Sequence, residues 1–330
     1  MARWRVLAII VGGFLIVPLA AMAQPARRLP QLCFVTFDPG TAELPSPRFA
    51  AFFQGLRDLG YVDGRTIAIH YLSADGRNQR FPELVAECLR LKPDVIAVTT
   101  TPAAQTAKAA TSTIPIVMVA LGDPEGTGLV DSLARPGGNV TGMSQLTSGL
   151  AAKRLALLKE AAPRISRVLV LTFLVDPIAP LQVKALRDVA PSLGLTLLVH
   201  DIQTPEDLPA AFDAGVRERA DGLLTTAESI FRAQRAKVAE LAARHRLPAI
   251  YPYSAFVTDA NGLMGYSIHD SDLHRRAASY VDKILKGAKP SDLAVQQPTN
   301  FEMVINLKTA RALGLTIPPS LLQRADQVIE

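Results

Sequence analysis

Short apolar runs alternate with amphipathic stretches along almost the whole chain, and this rhythm constrains the fold more than any motif. Leu32-Cys33-Phe34-Val35, Val95-Ile96-Ala97-Val98 and Ile116-Val117-Met118-Val119 read as strands buried on both faces. Thr66 to Tyr71 alternates in the manner of a further strand. Helical periodicity fills the gaps, over Phe49–Leu59 with Gly60 as a stop, over Phe81–Leu91 with Pro82 in the first turn, and over Pro102–Ala110. The same rhythm restarts after Gly142, with strands at Arg167–Leu171, Leu195–Val199, Gly222–Leu224, Pro248–Ile250 and Leu263–Tyr266. Helices are expected over Ala151–Ala161, Leu181–Leu193, Pro205–Arg219, Ile230–His245 and Leu273–Leu285. Apolar strands alternating with helices imply parallel sheets covered on both faces. The two series, separated by Pro136-Gly137-Gly138-Asn139, imply two lobes of similar architecture without a sequence repeat.

The N-terminus carries a different signal. Arg3 and Arg5 precede an apolar run, Val6 to Ala20, and Ala21-Met22-Ala23 places small residues before Gln24. This is the layout of a cleaved secretory signal peptide over 1–23, and the run is too short to span a ~30 Å hydrocarbon core. No Cys follows the small residues, so a soluble exported chain without a lipid anchor is expected. Export makes a disulfide between Cys33 and Cys88 chemically accessible, although both sit in apolar contexts where free thiols behave as small hydrophobes. The formal net charge of +5 is mild and no long basic run occurs, which gives no nucleic-acid footprint.

In open α/β sheets ligands bind beyond the carboxyl ends of the strands, so the chemistry is read there. Phe37 and Asp38 follow the first strand, and Thr99-Thr100-Thr101-Pro102 another. Thr100 and Thr101 stand at a helix start, where they hold an anion or simply cap the helix. Asp123 and Asp176 each precede a proline and either bind an ammonium group or order a turn. Thr172, Thr225, Tyr251, Tyr266 and Asp270 occupy equivalent positions in the second half, the tyrosines as pocket walls or as structural filling. The sequence has no dinucleotide loop, no nucleoside triphosphate cradle and no nucleophile elbow. Its five histidines, His70, His200, His245, His269 and His274, lack metal-site spacing. No catalytic set, metal or cofactor is expected.

Several blocks together resemble one family. They are Ile114-Pro115-Ile116-Val117-Met118, Asp123-Pro124, the run Ser132-Leu133-Ala134-Arg135-Pro136-Gly137-Gly138-Asn139-Val140-Thr141-Gly142, Tyr251-Pro252-Tyr253, and the tail from Phe301 to Leu322. In these the chain resembles ABC transporter substrate-binding proteins over nearly all of its mature length. The resemblance implies a type I periplasmic binding fold, with two doubly wound parallel-sheet lobes joined by a three-segment hinge and a ligand cleft between them. Lobes of 30–142 plus 268–298 and of 143–267 plus 299–330 are expected. It further implies a periplasmic, monomeric carrier that captures an amino acid or amino-acid-like solute, aromatic in some members, by lobe closure. An inner-membrane ABC permease would then receive the solute. A periplasmic sensor serving a membrane receptor, or a hydrolase on the same scaffold, are the alternatives. On this reading Thr100 and Thr101 take an anionic end, Asp123 or Asp176 an ammonium, and Phe37, Tyr251 or Tyr266 the body of the ligand. Members often carry Asn-Pro where this chain has Asp176-Pro177, and a Gly/Ser segment where it has Phe37-Asp38-Pro39. Asp38, Asp123, Asp176 and Asp270 would then make the cleft unusually acidic.

Overall fold

The computed structural model describes residues 28–330; the leader expected over 1–23 lies outside the described residues. The first sheet contains β1 (Gln31–Thr36), β2 (Ala68–Ser73), β3 (Val95–Val98), β4 (Ile116–Leu121) and β5 (Val140–Ser144), all parallel, in the order β2-β1-β3-β4-β5. Alternate residues of β1 feed two different cores. Cys33 and Val35 pack with the helices Phe81–Arg90 and Thr101–Ala110, whereas Leu32 and Phe34 pack with Ala50–Asp58 and Asp270–Leu285. Burial on both faces is the reason β3 and β4 are apolar throughout and β1 nearly so.

The second sheet contains β6 (Arg167–Thr172), β7 (Thr196–Asp201), β8 (Gly222–Thr225), β9 (Ala249–Tyr251), β10 (Met264–Ile268), β11 (Phe301–Asn306) and β12 (Gln327–Ile329), in the order β12-β11-β10-β9-β8-β6-β7. This sheet departs from the all-parallel expectation, because β11 runs antiparallel to β10. The cause is topological. The chain leaves this lobe along β10, builds the helix Asp270–Leu285 on the first sheet, and returns along β11 in the opposite direction.

The chain therefore passes between sheets three times, after Ser144, after Ile268 and between Gln296 and Phe301. Gln296 bridges to Met143, which ties the third passage to the first. Here Gly142 has φ +134°, and a Cβ on it would run into the backbone of Met118 in β4. The last glycine of the Arg-Pro-Gly-Gly-Asn-Val-Thr-Gly block thus lets β5 lie against β4 where the hinge begins. The C-terminal segment packs on the second lobe through Ala310, Ile317 and Leu321.

Some boundaries differ from the sequence expectation. The helix expected from Ala151 begins at Thr147, and the run over Ile230–His245 breaks at Gln234 into Ser229–Ala233 and Arg235–Arg244. Cys33 and Cys88 are free thiols, both fully buried. A hydrogen bond with Cys33, together with burial, pushes the Cys88 thiol far up. A thiol reagent such as Ellman's is expected to react with neither cysteine in the native protein and with both after denaturation. Labelling of either in the native state would contradict this packing.

Candidate functional site

Both sheets reverse strand order once, the first between β1 and β3 and the second between β6 and β8. These switch points face each other, and a small cavity of about 20 Å³ lies between them. The first lobe supplies Arg48, Thr99, Thr100, Thr101 and the turn Ala120-Leu121-Gly122, and the hinge supplies Gln145. Across the cleft stand Asp176, Ile178, Ala227, Ser229 and Tyr253. The lobes are closed so tightly on this space that it falls far short of the ~300 Å³ of small-molecule sites, and a solute enters only when the lobes part. A Cβ on Gly122 of the first lobe would stand 3.1 Å from Ile178 Cγ2 of the second.

Of the residues expected from sequence, Thr100, Thr101 and Asp176 meet at this cavity. Thr100 caps its helix, accepting from the Ala103 N–H at 3.4 Å, and Thr99 donates to Thr36 Oγ1 at 2.9 Å. The capping role of the threonines is therefore occupied within the protein. Asp176 is buried, with Oδ1 accepting from the Ile178 N–H at 3.2 Å, and burial raises its carboxyl to about 7. Behind it, Glu228 is fully enclosed, accepting from Gln182 Nε2 and from the Thr226 hydroxyl. Burial, and then the neighbouring Asp176, hold its carboxyl well above the usual range.

Asp38 and Asp270 lie in a groove at the cleft mouth rather than in the cavity. Arg48 binds Asp38 at 3.0 Å, and Arg232 grips Asp270 Oδ2 through both terminal nitrogens at 2.6 and 2.7 Å. Arg232 lies in the helix Ser229–Ala233 of the second lobe, and Asp270 opens a helix of the first, so this ion pair crosses the cleft. Burial opposes the Asp270 charge, but Arg232, His274 and Arg48 outweigh it and hold the carboxyl below its ordinary value. Arg232 also stacks on the ring of Tyr253, 4.1 Å from its centroid.

Six expected site residues lie elsewhere. Phe37 is buried in the first lobe's core. Asp123 accepts from Thr147 Oγ1 at 2.8 Å and from the Ser148 N–H at 3.0 Å. It thereby caps the helix Thr147–Ala161, whose own N-cap position holds Leu146, a residue without a capping group. Tyr251 is the last residue inside β9 and stacks on Phe256 at 4.3 Å within the core. Tyr253, two residues beyond the strand end, is the tyrosine that reaches the cleft. Tyr266 stacks on Phe301 in a groove with Lys153, away from the cavity. Thr172 and Thr225 are fully buried at their strand ends, outside the cavity lining, with hydroxyls that have no hydrogen-bond partner.

The expected acidic cleft is therefore corrected. Arginines neutralise two of its four carboxylates, a third is a helix cap, and burial favours the proton on the fourth. Sequence reasoning missed Arg48, Gln145, Ser229 and Tyr253 at the cavity and Arg232 at the cleft mouth. Only Tyr253 carried a usable signal, its place just past a strand end.

Comparison with known proteins agrees with this architecture. The family model described as ABC transporter substrate binding protein matches residues 48–329. A tyrosine-binding protein from Clostridioides difficile (strain R20291) is 29% identical over 264 residues, 80% of this chain and 75% of that protein. The solved structure of an ABC domain in complex with L-Trp from Streptococcus pneumonia is 26% identical. It covers 90% of this chain and 100% of that one, with a TM-score of 0.79. A conserved domain protein from Vibrio cholerae, also 26% identical, covers 91% and 100% with a TM-score of 0.83. The chain belongs to the family of ABC transporter substrate binding proteins, which bind rather than transform their ligands.

Proposed function

We propose that this protein is a periplasmic carrier that captures a small amino acid or amino-acid-like solute between its lobes and delivers it to an inner-membrane ABC importer. The carrying observation is the closed cavity at the paired switch points, small and lined from both lobes by Thr99, Thr100, Thr101, Gln145, Asp176 and Ser229. Each lobe offers only part of this set, so a ligand that needs all of it favours the closed state by its difference in affinity. Asp176 has no cationic side chain within ion-pair reach among the described residues, and an ammonium group would supply one. The relatives that bind tyrosine and L-Trp support the amino-acid class, and Tyr253 offers an aromatic wall. The test is a thermal-shift panel of L-tryptophan, L-tyrosine, the other amino acids, nucleosides, sugars and organic acids. A true ligand at about 100 times its Kd stabilises by ~2.7 kcal/mol, read as a rise of several degrees in Tm. A flat response across the panel would remove solute capture as the function.

A further inference from the structure

Beside the ion pair that crosses the cleft lie two polar atoms that the closed protein leaves unsatisfied. His274 is fully buried in the helix Asp270–Leu285, and its Nδ1 lies 3.0 Å from the Arg48 carbonyl. A carbonyl only accepts, so the hydrogen of the neutral ring sits on Nδ1 and Nε2 is a bare acceptor. That Nε2 is buried without a partner. Asp270 stands four residues earlier, on the same face of the helix. Its Oδ2 accepts from Arg232, whereas its Oδ1 is likewise buried without a partner. Two neighbouring acceptors are unmet, and one proton on Nε2 would turn the first into a donor for the second.

The closed lobes withhold that proton. Burial is the main cause, and the Arg48 and Arg232 guanidiniums add to it. Together they outweigh Asp270 and hold the imidazole down at about 4, against an ordinary 6.5. The other elements packed on this helix add no charge at the ring. β3, β4 and β5 carry no titratable side chain, and the helix Ala50–Asp58 keeps Arg57 and Asp58 exposed. The Phe49 ring lies 5.3 Å from the imidazole, and Asp38 stands behind Arg48, paired with it at 3.0 Å. On the helix itself, His269 acts on Asp270. Of the charged groups that act on His274, only Arg232 belongs to the second lobe. When the lobes part, Arg232 leaves and water enters the groove lined by Arg48, Arg232 and Asp270. Asp270 then has no cation from the second lobe, and both changes favour the imidazolium.

We propose that His274 is a proton-operated release for lobe closure: a proton taken up at Nε2 lets the ring claim Asp270, which frees Arg232 and opens the cleft. The inference goes beyond solute capture, since it rests on lobe closure and not on which solute is carried. The open state binds the proton more tightly. His274 therefore leaves the closed-to-open ratio unchanged above pH about 6.5 and lowers it as pH falls towards 4, by up to about tenfold per pH unit. The neighbouring acids differ in sign or in window. Asp176 and Glu228, raised by burial, hold their protons in the closed protein, and Asp270 takes one only below its ordinary range.

The test is made on the ligand-free protein. Small-angle scattering from pH 7.5 to 4.5 is compared for the wild type and His274→Gln, whose amide still donates to the Arg48 carbonyl but does not titrate. The wild type is expected to expand as pH falls below about 6.5 and the variant to stay compact. The imidazole titration of His274 is then followed by NMR in the wild type and in Arg232→Ala, which keeps His274 and Asp270 and removes the cation from the second lobe. The proton is expected to bind about tenfold or more tightly in Arg232→Ala. A wild-type radius of gyration unmoved by acid, equal expansion of His274→Gln, or the same titration in wild type and Arg232→Ala would each overturn the assignment. If His274→Gln does not fold, the pair of titrations decides alone. Neither measurement contains a solute, so solute capture stands or falls on the thermal-shift panel.

Discussion

Replacing Asp270 by alanine is expected to open the ligand-free protein without unfolding it. The carboxylate of Asp270 accepts both terminal nitrogens of Arg232 from the opposite lobe, and both side chains are mostly buried there. The stacking of Arg232 on Tyr253 holds the guanidinium in place, and the position of Asp270 in the first turn of its helix favours its charge. Removing one member of a buried pair costs ~3–5 kcal/mol because the other charge is stranded; with part of this pair still wet, ~2–4 kcal/mol is the working range. That cost falls on closure rather than on folding, since Arg232 regains water once the lobes part. The closed-to-open ratio should drop by roughly 30-fold to 10³-fold, seen as a larger radius of gyration in small-angle scattering, with Tm nearly unchanged. The double variant with Arg232→Ala removes both charges and should recover part of the closed population. A fall of several degrees in Tm with no change in scattering would show instead that the pair supports the fold and not lobe closure.

The strands most legible in the sequence are those buried on both faces. β3 and β4 are continuous apolar runs because helices cover both sides of the first sheet. β5 escaped notice because Thr141, Gly142 and Ser144 give it little apolar character; it is selected for hinge geometry, through Gly142 against Met118 and the Thr141 hydroxyl on the Leu293 carbonyl. The three-residue β12 is half-exposed at the sheet edge and leaves almost no pattern. Within the site, Thr100, Thr101 and Asp176 were legible because position after a strand predicts proximity to the switch point. The arginines were not. Arg48 and Arg232 sit in short helices, where a cation reads as part of a solvated face, and only tertiary packing turns them towards Asp38 and Asp270. Asp123 shows the converse: an acid in the right place after a strand whose oxygens are taken by a neighbouring helix terminus.

Asp176→Asn is expected to change both stability and ligand capture in a pH-dependent way. Burial raises the Asp176 carboxyl to about 7, against 3.8 as its ordinary value. Between these limits the native state holds a proton that the unfolded chain has released, so this group's contribution to stability falls as pH rises from about 4 to 7 and is fully lost above 7. The displacement amounts to ~4 kcal/mol at most, and local relaxation reduces it. The asparagine variant does not titrate, so its Tm should match the wild type near pH 4 and exceed it by roughly 5 °C at pH 8. Its remaining pH dependence comes from the other shifted groups, Asp270, His274 and Glu228 among them, and Glu228 loses the neighbouring carboxylate that raises it. Binding should move the other way. An ammonium-bearing ligand needs the ionised carboxylate, so wild-type affinity is expected to strengthen as pH climbs through 7, whereas the variant binds weakly and with little pH dependence. Parallel Tm profiles for the two proteins from pH 4 to 8 would show that Asp176 titrates as an ordinary exposed acid. Retention of full affinity by the variant at pH 8 would place the cationic end of the ligand elsewhere in the cleft.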